Sequence, residues 1–187
     1  MLPLVAAGAL YALLCLMLGT ALPELVPLGW DADLLVTHLA RRDHLVLLAA
    51  GAGTAVAAVT GGAAALVLRY APTATARQTV LRRMVSADLA HLGAVTLLFL
   101  TAELAVVYGP LGGSEAASWT GQDTPSYPSR EAALTASRAA AGATGSHLPT
   151  TAVVILIAYL AYLVVWAAWV VPRRYRRDAV RTADSIA

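Results

Sequence analysis

Apolar and charged positions segregate along this chain. Runs nearly free of charge cover residues 2–22, 45–68, 84–107 and 151–171. Each is about 20 residues or longer, the length an α-helix needs to cross a hydrocarbon core roughly 30 Å thick. The pattern predicts an all-α integral membrane protein, a bundle of four transmembrane helices forming a single membrane domain over residues 1–187.

The stretches between the runs complete the expected layout. Pro23, Pro27 and Gly29 interrupt the chain after the first run. Asp31 or Asp33 then suits the N-cap of a short amphipathic helix over about 32–43. Leu34, Leu35, Val36 and Leu39 supply its apolar side, and Arg41, Arg42 and Asp43 its polar end, so it is expected to lie on the membrane surface. A long hydrophilic segment, 109–150, separates the third and fourth runs; within it, 129–142 reads as a helix between Ser129 and Gly142. Pro172 is expected to end the fourth helix, leaving a basic tail over 172–187. No basic residue precedes the first apolar run, so that run reads as a retained helix rather than a cleaved signal peptide.

Orientation follows from the arginines. The connection between runs two and three carries Arg69, Arg77, Arg82 and Arg83, and the tail carries five more; the other two connections have two each. Positive charge favours the cytoplasmic side, which predicts both termini inside and the 109–150 loop outside.

Composition agrees with a membrane chain. Of 187 residues, 59% are hydrophobic and only 13% charged, where a soluble domain carries about a quarter charged. All thirteen basic residues are arginine, a usage expected of a GC-rich bacterial genome and hence of the bacterial cytoplasmic (plasma) membrane. A net charge of +2, with no basic patch interleaved with aromatics, gives no case for nucleic acid. The single cysteine, Cys15, supports no intramolecular disulfide and no cysteine metal motif, and is expected to fill a core.

Two kinds of residue depart from the apolar background. The first is small. In the second run Ala49, Gly53, Ala57, Gly61 and Ala65 recur every four residues, with a parallel row at Ala50, Thr54, Ala58 and Gly62. Such spacing lets another helix approach closely, since dispersion contacts drive helix association in lipid. The second kind is ionisable. Asp88, His91 and Glu103 lie in the third run, within an arc of roughly 120° at about 100° per residue. Leu92 and Phe99 share that arc and Thr96 borders it. A polar side of this kind is expected to face the bundle interior or a partner.

Asp88 and Glu103 are about 22 Å apart along the helix axis, so they belong to separate groups. The inner group is Asp88 and His91, with Arg69, Arg82 and Arg83 near in depth; an ion pair of Asp88 with Arg82 or Arg83 is the simplest use of that carboxylate. The outer group is Glu103 with His44, His147, His38 and Asp43. Imidazoles with carboxylates at one face suit a transition metal, a quinone headgroup or a proton relay, although Glu103 could equally pair with Arg41 or Arg42. A bis-histidine haem between the second and third helices is disfavoured, because His44 and His91 differ in depth by roughly 20 Å. In the fourth run Tyr159, Tyr162, Trp166 and Trp169 form an aromatic stripe; packing, as on the small rows of the second run, or an interface belt is the expected use, with contact to a ligand or another subunit as the alternative.

No phosphate-binding glycine loop, nucleophile elbow or CxxC pair is present. The leading expectation is a small membrane subunit that packs with a larger membrane complex or with copies of itself, with the lipid bilayer as its other partner. A metal- or quinone-dependent membrane oxidoreductase using Glu103, His44 and His147 is the second. A proton or small-solute pathway through Asp88, His91 and Glu103 is the third.

Overall fold

The computed structural model describes residues 2–22, 25–30, 36–71, 75–109 and 150–175. Four helices are each long and apolar enough to cross a membrane: α1 (Leu2–Ala21), α2 (Arg42–Tyr70), α3 (Ala76–Tyr108) and α4 (Thr150–Tyr175). Two short strands, β1 (Leu25–Trp30) and β2 (Val36–Arg41), lie between α1 and α2. The helix expected over 129–142 and the bulk of the 109–150 loop lie outside the described residues, as does the tail beyond residue 175.

Local sequence explains the helix ends. Pro3 stands in the first turn of α1, where its missing N–H costs nothing. At the start of α3 the Gln78 N–H donates to Thr75 Oγ1 at 3.2 Å, and the Thr75 N–H donates to Gln78 Oε1 at 3.1 Å. This reciprocal capping box starts α3 well before the apolar run. Its 33 residues make a rod of about 50 Å, longer than a hydrocarbon core of roughly 30 Å. Its first two turns carry Arg77, Arg82 and Arg83.

Two expectations are corrected. Residues 36–41 form a strand, not part of an amphipathic helix, and Arg42 already opens α2. β2 pairs antiparallel with β1, Leu25 opposite Arg41 and Val26 opposite Ala40, with the register shifting after Pro27. Pro27 and Gly29 keep β1 from being helical, and the β-branched Val36 and Thr37 suit a strand that satisfies the β1 backbone. Second, Pro172 does not end the fourth helix. Trp166–Val170 is a π-turn, in which the Val171 N–H bonds Trp166 O. A wider turn ahead of a proline relieves the clash its ring makes with the preceding turn, so α4 continues to Tyr175.

The chain divides into two compact units. One comprises Met1–Tyr11, Gly53–Leu100 and Ile155–Ala187. Its centre is close helix packing over small residues. Leu4, Ala7 and Tyr11 of α1 are buried, as are Ala64 of α2 and Ala90, Ala94 and Leu97 of α3. The other unit comprises Ala12–Ala52 and Thr101–Val154. It holds a core of Leu18, Leu22, Val26, Leu45 and Tyr108, flanked by Leu14, Leu104 and Val107. The Arg42 guanidinium donates to Leu22 O at 3.0 Å, which ties the start of α2 to the end of α1. Cys15 is buried on the same stripe of α1, which runs Leu4, Ala7, Tyr11, Cys15 and Leu18 at helical spacing, with buried Leu22 just past its end.

Candidate functional site

The small residues of α2 meet α1. A Cβ added at Gly53 would lie 2.2 Å from Tyr11 Cε1 and 2.6 Å from Tyr11 Cδ1, so the phenol ring rests on the glycine backbone. At Gly61 the added Cβ would be 3.3 Å from Leu4 Cδ2. Along this row Ala49 and Gly53 are buried, Ala57 and Gly61 half-buried and Ala65 exposed. Gly93 of α3 does the same work from the other side: its Cβ would strike Thr60 Oγ1 at 2.2 Å and Leu4 Cδ1 at 2.8 Å. The partner of the first row is therefore within the chain. The parallel row is not covered: Ala50, Thr54, Ala58 and Gly62 are all exposed, and a Cβ at Gly62 meets nothing within 4 Å.

The aromatic stripe of α4 engages α3 rather than the small rows of α2. It lies against the polar side of α3. Tyr159 stacks on Phe99, ring centroids 4.2 Å apart and 10° from parallel, and its hydroxyl shares a 2.8 Å hydrogen bond with Thr96 Oγ1. Tyr162 Oη hydrogen-bonds His91 Nε2 at 2.5 Å. Trp166 lies beside the same imidazole, with centroids 6.0 Å apart. One turn past the π-turn, Arg174 Nη1 donates to Asp88 Oδ1 at 2.7 Å. The contacts rise along α3 as they descend along α4, so this pair is antiparallel. Trp169 is outside the seam, exposed, with the Arg173 guanidinium 4.0 Å from its ring centroid.

The seam assigns the inner ionisable residues. Asp88 forms an ion pair, as its burial requires, but with Arg174 of α4 rather than with Arg82 or Arg83. Its carboxylate is 10% exposed, while the Arg174 side chain is 48% exposed. Asp88 Oδ2 has no hydrogen-bond partner among the described residues, and Tyr175 interacts electrostatically with the same carboxylate. His91, expected to face the bundle interior or a partner, is hydrogen-bonded to α4 and exposed at the edge of the seam. Asp88 and His91 thus each engage α4.

The outer candidates do not gather among the described residues. Glu103 is half-buried on α3, and its Oε1 is enclosed without a hydrogen-bond partner among the described residues. Arg41 and Arg42 pair with Asp43, at 3.7 and 3.8 Å, rather than with Glu103. His44 is exposed in the first turn of α2, and His38 is a residue of β2 paired with Gly29. His147 lies outside the described residues. Among the described residues, no three His, Cys, Asp or Glu are placed to hold a metal ion.

Tyr11, Thr60, Gly93, Arg174 and the Thr75–Gln78 cap matter in the fold and were not singled out by the sequence patterns. Gly93 had a visible signal, since Ala90, Gly93, Ala94 and Leu97 keep helical spacing. Arg174 had none, because Pro172 marks the helix end by every local rule. Comparison with family models, with curated proteins and with solved structures gives no match.

Proposed function

We propose that the chain is a small four-helix membrane subunit that packs against a larger membrane complex or against another copy of itself. It sits in a bacterial cytoplasmic membrane with both termini inside, the orientation its arginines favour. The observation that carries this reading is the polar edge of the α3–α4 seam. His91, hydrogen-bonded to Tyr162, is exposed within helices otherwise fit for lipid. Imidazole facing hydrocarbon is costly, and a neighbouring protein helix relieves that cost. Two further features support the reading. Ala152 is the one buried residue of α4, and the second small row of α2 is open to close approach.

His91→Phe and Tyr162→Phe separate the roles of the imidazole, because both remove the same internal hydrogen bond. In crosslinking of native membranes, His91→Phe is expected to weaken association while Tyr162→Phe leaves it largely intact. Association unchanged by His91→Phe, or weakened equally by both, would overturn the reading.

A second reading rests on Glu103, whose enclosed Oε1 has no partner among the described residues. On this reading the outer face is a metal- or quinone-dependent redox site, with His44 and His147 as further contributors. It requires Glu103→Gln to lower bound metal or quinone in the purified chain without altering its assembly; unchanged content would remove it.

A further inference from the structure

A charged patch outside both sites is unexplained by subunit packing. Among its described residues, the unit of Met1–Tyr11, Gly53–Leu100 and Ile155–Ala187 holds six arginines and one carboxylate. That carboxylate, Asp88, is taken by Arg174. Arg69, Arg77, Arg82, Arg83 and Arg173 have no carboxylate partner among the described residues. They stand at the end of α2, the start of α3 and the end of α4; only five residues separate α2 from α3 in sequence, and the Asp88–Arg174 pair sets the end of α4 beside the first part of α3.

Three details give the patch the character of a headgroup site. Arg173 lies over Trp169 at 4.0 Å and Arg69 over Tyr70 at 5.4 Å, pairing cations with aromatics of the kind that collect at membrane interfaces. Arg82 Nε is enclosed yet has no acceptor among the described residues; a buried donor left so costs free energy that a phosphate oxygen would recover. Finally, the surplus length of α3 places Arg77, Arg82 and Arg83 beyond or at the edge of the hydrocarbon. Guanidinium presents a planar donor fork that fits phosphate in pairs of bonds.

We propose that this arginine collar binds the phosphate headgroups of anionic phospholipid, taking the four helices as membrane-spanning. The test uses the full chain in mild detergent. Retention of phosphatidylglycerol and of phosphatidylcholine is followed by native mass spectrometry, with inorganic phosphate added in a separate arm. The wild-type chain is expected to retain phosphatidylglycerol in preference to phosphatidylcholine. Each arginine near an anionic surface contributes about five-fold, so Arg82→Gln, Arg83→Gln and Arg173→Gln together are expected to weaken retention roughly a hundred-fold. The corresponding lysine substitutions are expected to restore most of it. Should the triple substitution not fold, Arg83→Gln alone, at an exposed position, is expected to show the five-fold loss, and Arg41→Gln no loss. Equal retention of both lipids, or full retention by the glutamine variants, would overturn the proposal. So would displacement of lipid by inorganic phosphate, which points to a soluble anion, or loss of an acidic protein rather than lipid.

Discussion

At the scale of single residues, glycine and the Asp88–Arg174 pair give the sharpest expectations. Gly53 lies beneath the Tyr11 ring with no room for a side chain. Gly53→Leu is expected to destabilise the chain by about 2 kcal/mol or more, as overpacking does, read as a fall in the detergent melting temperature. Tyr11→Ala on the same background is expected to recover part of that loss, because the two side chains compete for one space. Gly62→Leu, open to space, is expected to leave melting unchanged; if the two leucine variants melt alike, the α1–α2 packing described above is wrong. The ion pair is asymmetric in burial. Arg174→Gln strands a carboxylate only 10% exposed, whereas Asp88→Asn leaves a guanidinium that is half exposed and free to extend toward water. Removing the arginine is therefore expected to cost about 2 kcal/mol and removing the aspartate about 1 kcal/mol or less. Equal losses in melting would contradict that assignment.

At the scale of elements, α4 is held by side-chain chemistry rather than by a buried apolar face. Interhelical hydrogen bonds in membranes average about 0.6 kcal/mol each. Tyr159→Phe and Tyr162→Phe, which break the bonds to Thr96 and His91, are expected to lower stability by roughly that amount each and nearly additively. Four helices were legible in the sequence because charge is excluded from runs of membrane length, a constraint independent of packing. The ends were less legible. The cap at Thr75 and Gln78 lies outside the apolar run, so hydropathy placed the start of α3 at residue 84 rather than 76. The π-turn overrode Pro172, and the β1–β2 ladder overrode an apolar pattern that fitted a helix on one side. The cap is a local Thr-x-x-Gln signal that hydropathy ignores; in the other two cases backbone hydrogen bonding, to a partner strand or shifted by one residue, decides what local propensity leaves undetermined. The candidate site was legible to a similar degree. The polar side of α3 and the stripe of α4 were both visible as patterns. That they face each other was not, because 63 to 86 residues separate the bonded pairs.

At the scale of the whole molecule, the distribution of charge and the uncovered surfaces bear on function. The proposed orientation, with both termini inside, predicts that a reporter active only in the cytoplasm is active when fused after residue 187 and inactive when fused within 109–150; the reverse pattern would invert the orientation. The chain satisfies its most crowded row of small residues internally, at Gly53 and Gly61, and leaves the second row, the face of α4 and the His91 edge uncovered. These uncovered surfaces are the ones the proposed association would use. The most direct measurement is native mass spectrometry of the chain extracted in mild detergent from the membranes of its own host. A mass above one chain, explained by protein alone and lowered to the single chain by His91→Phe, is the expected result. A single chain carrying the added mass of a metal or an organic cofactor, unchanged by His91→Phe and lost with Glu103→Gln, would contradict it.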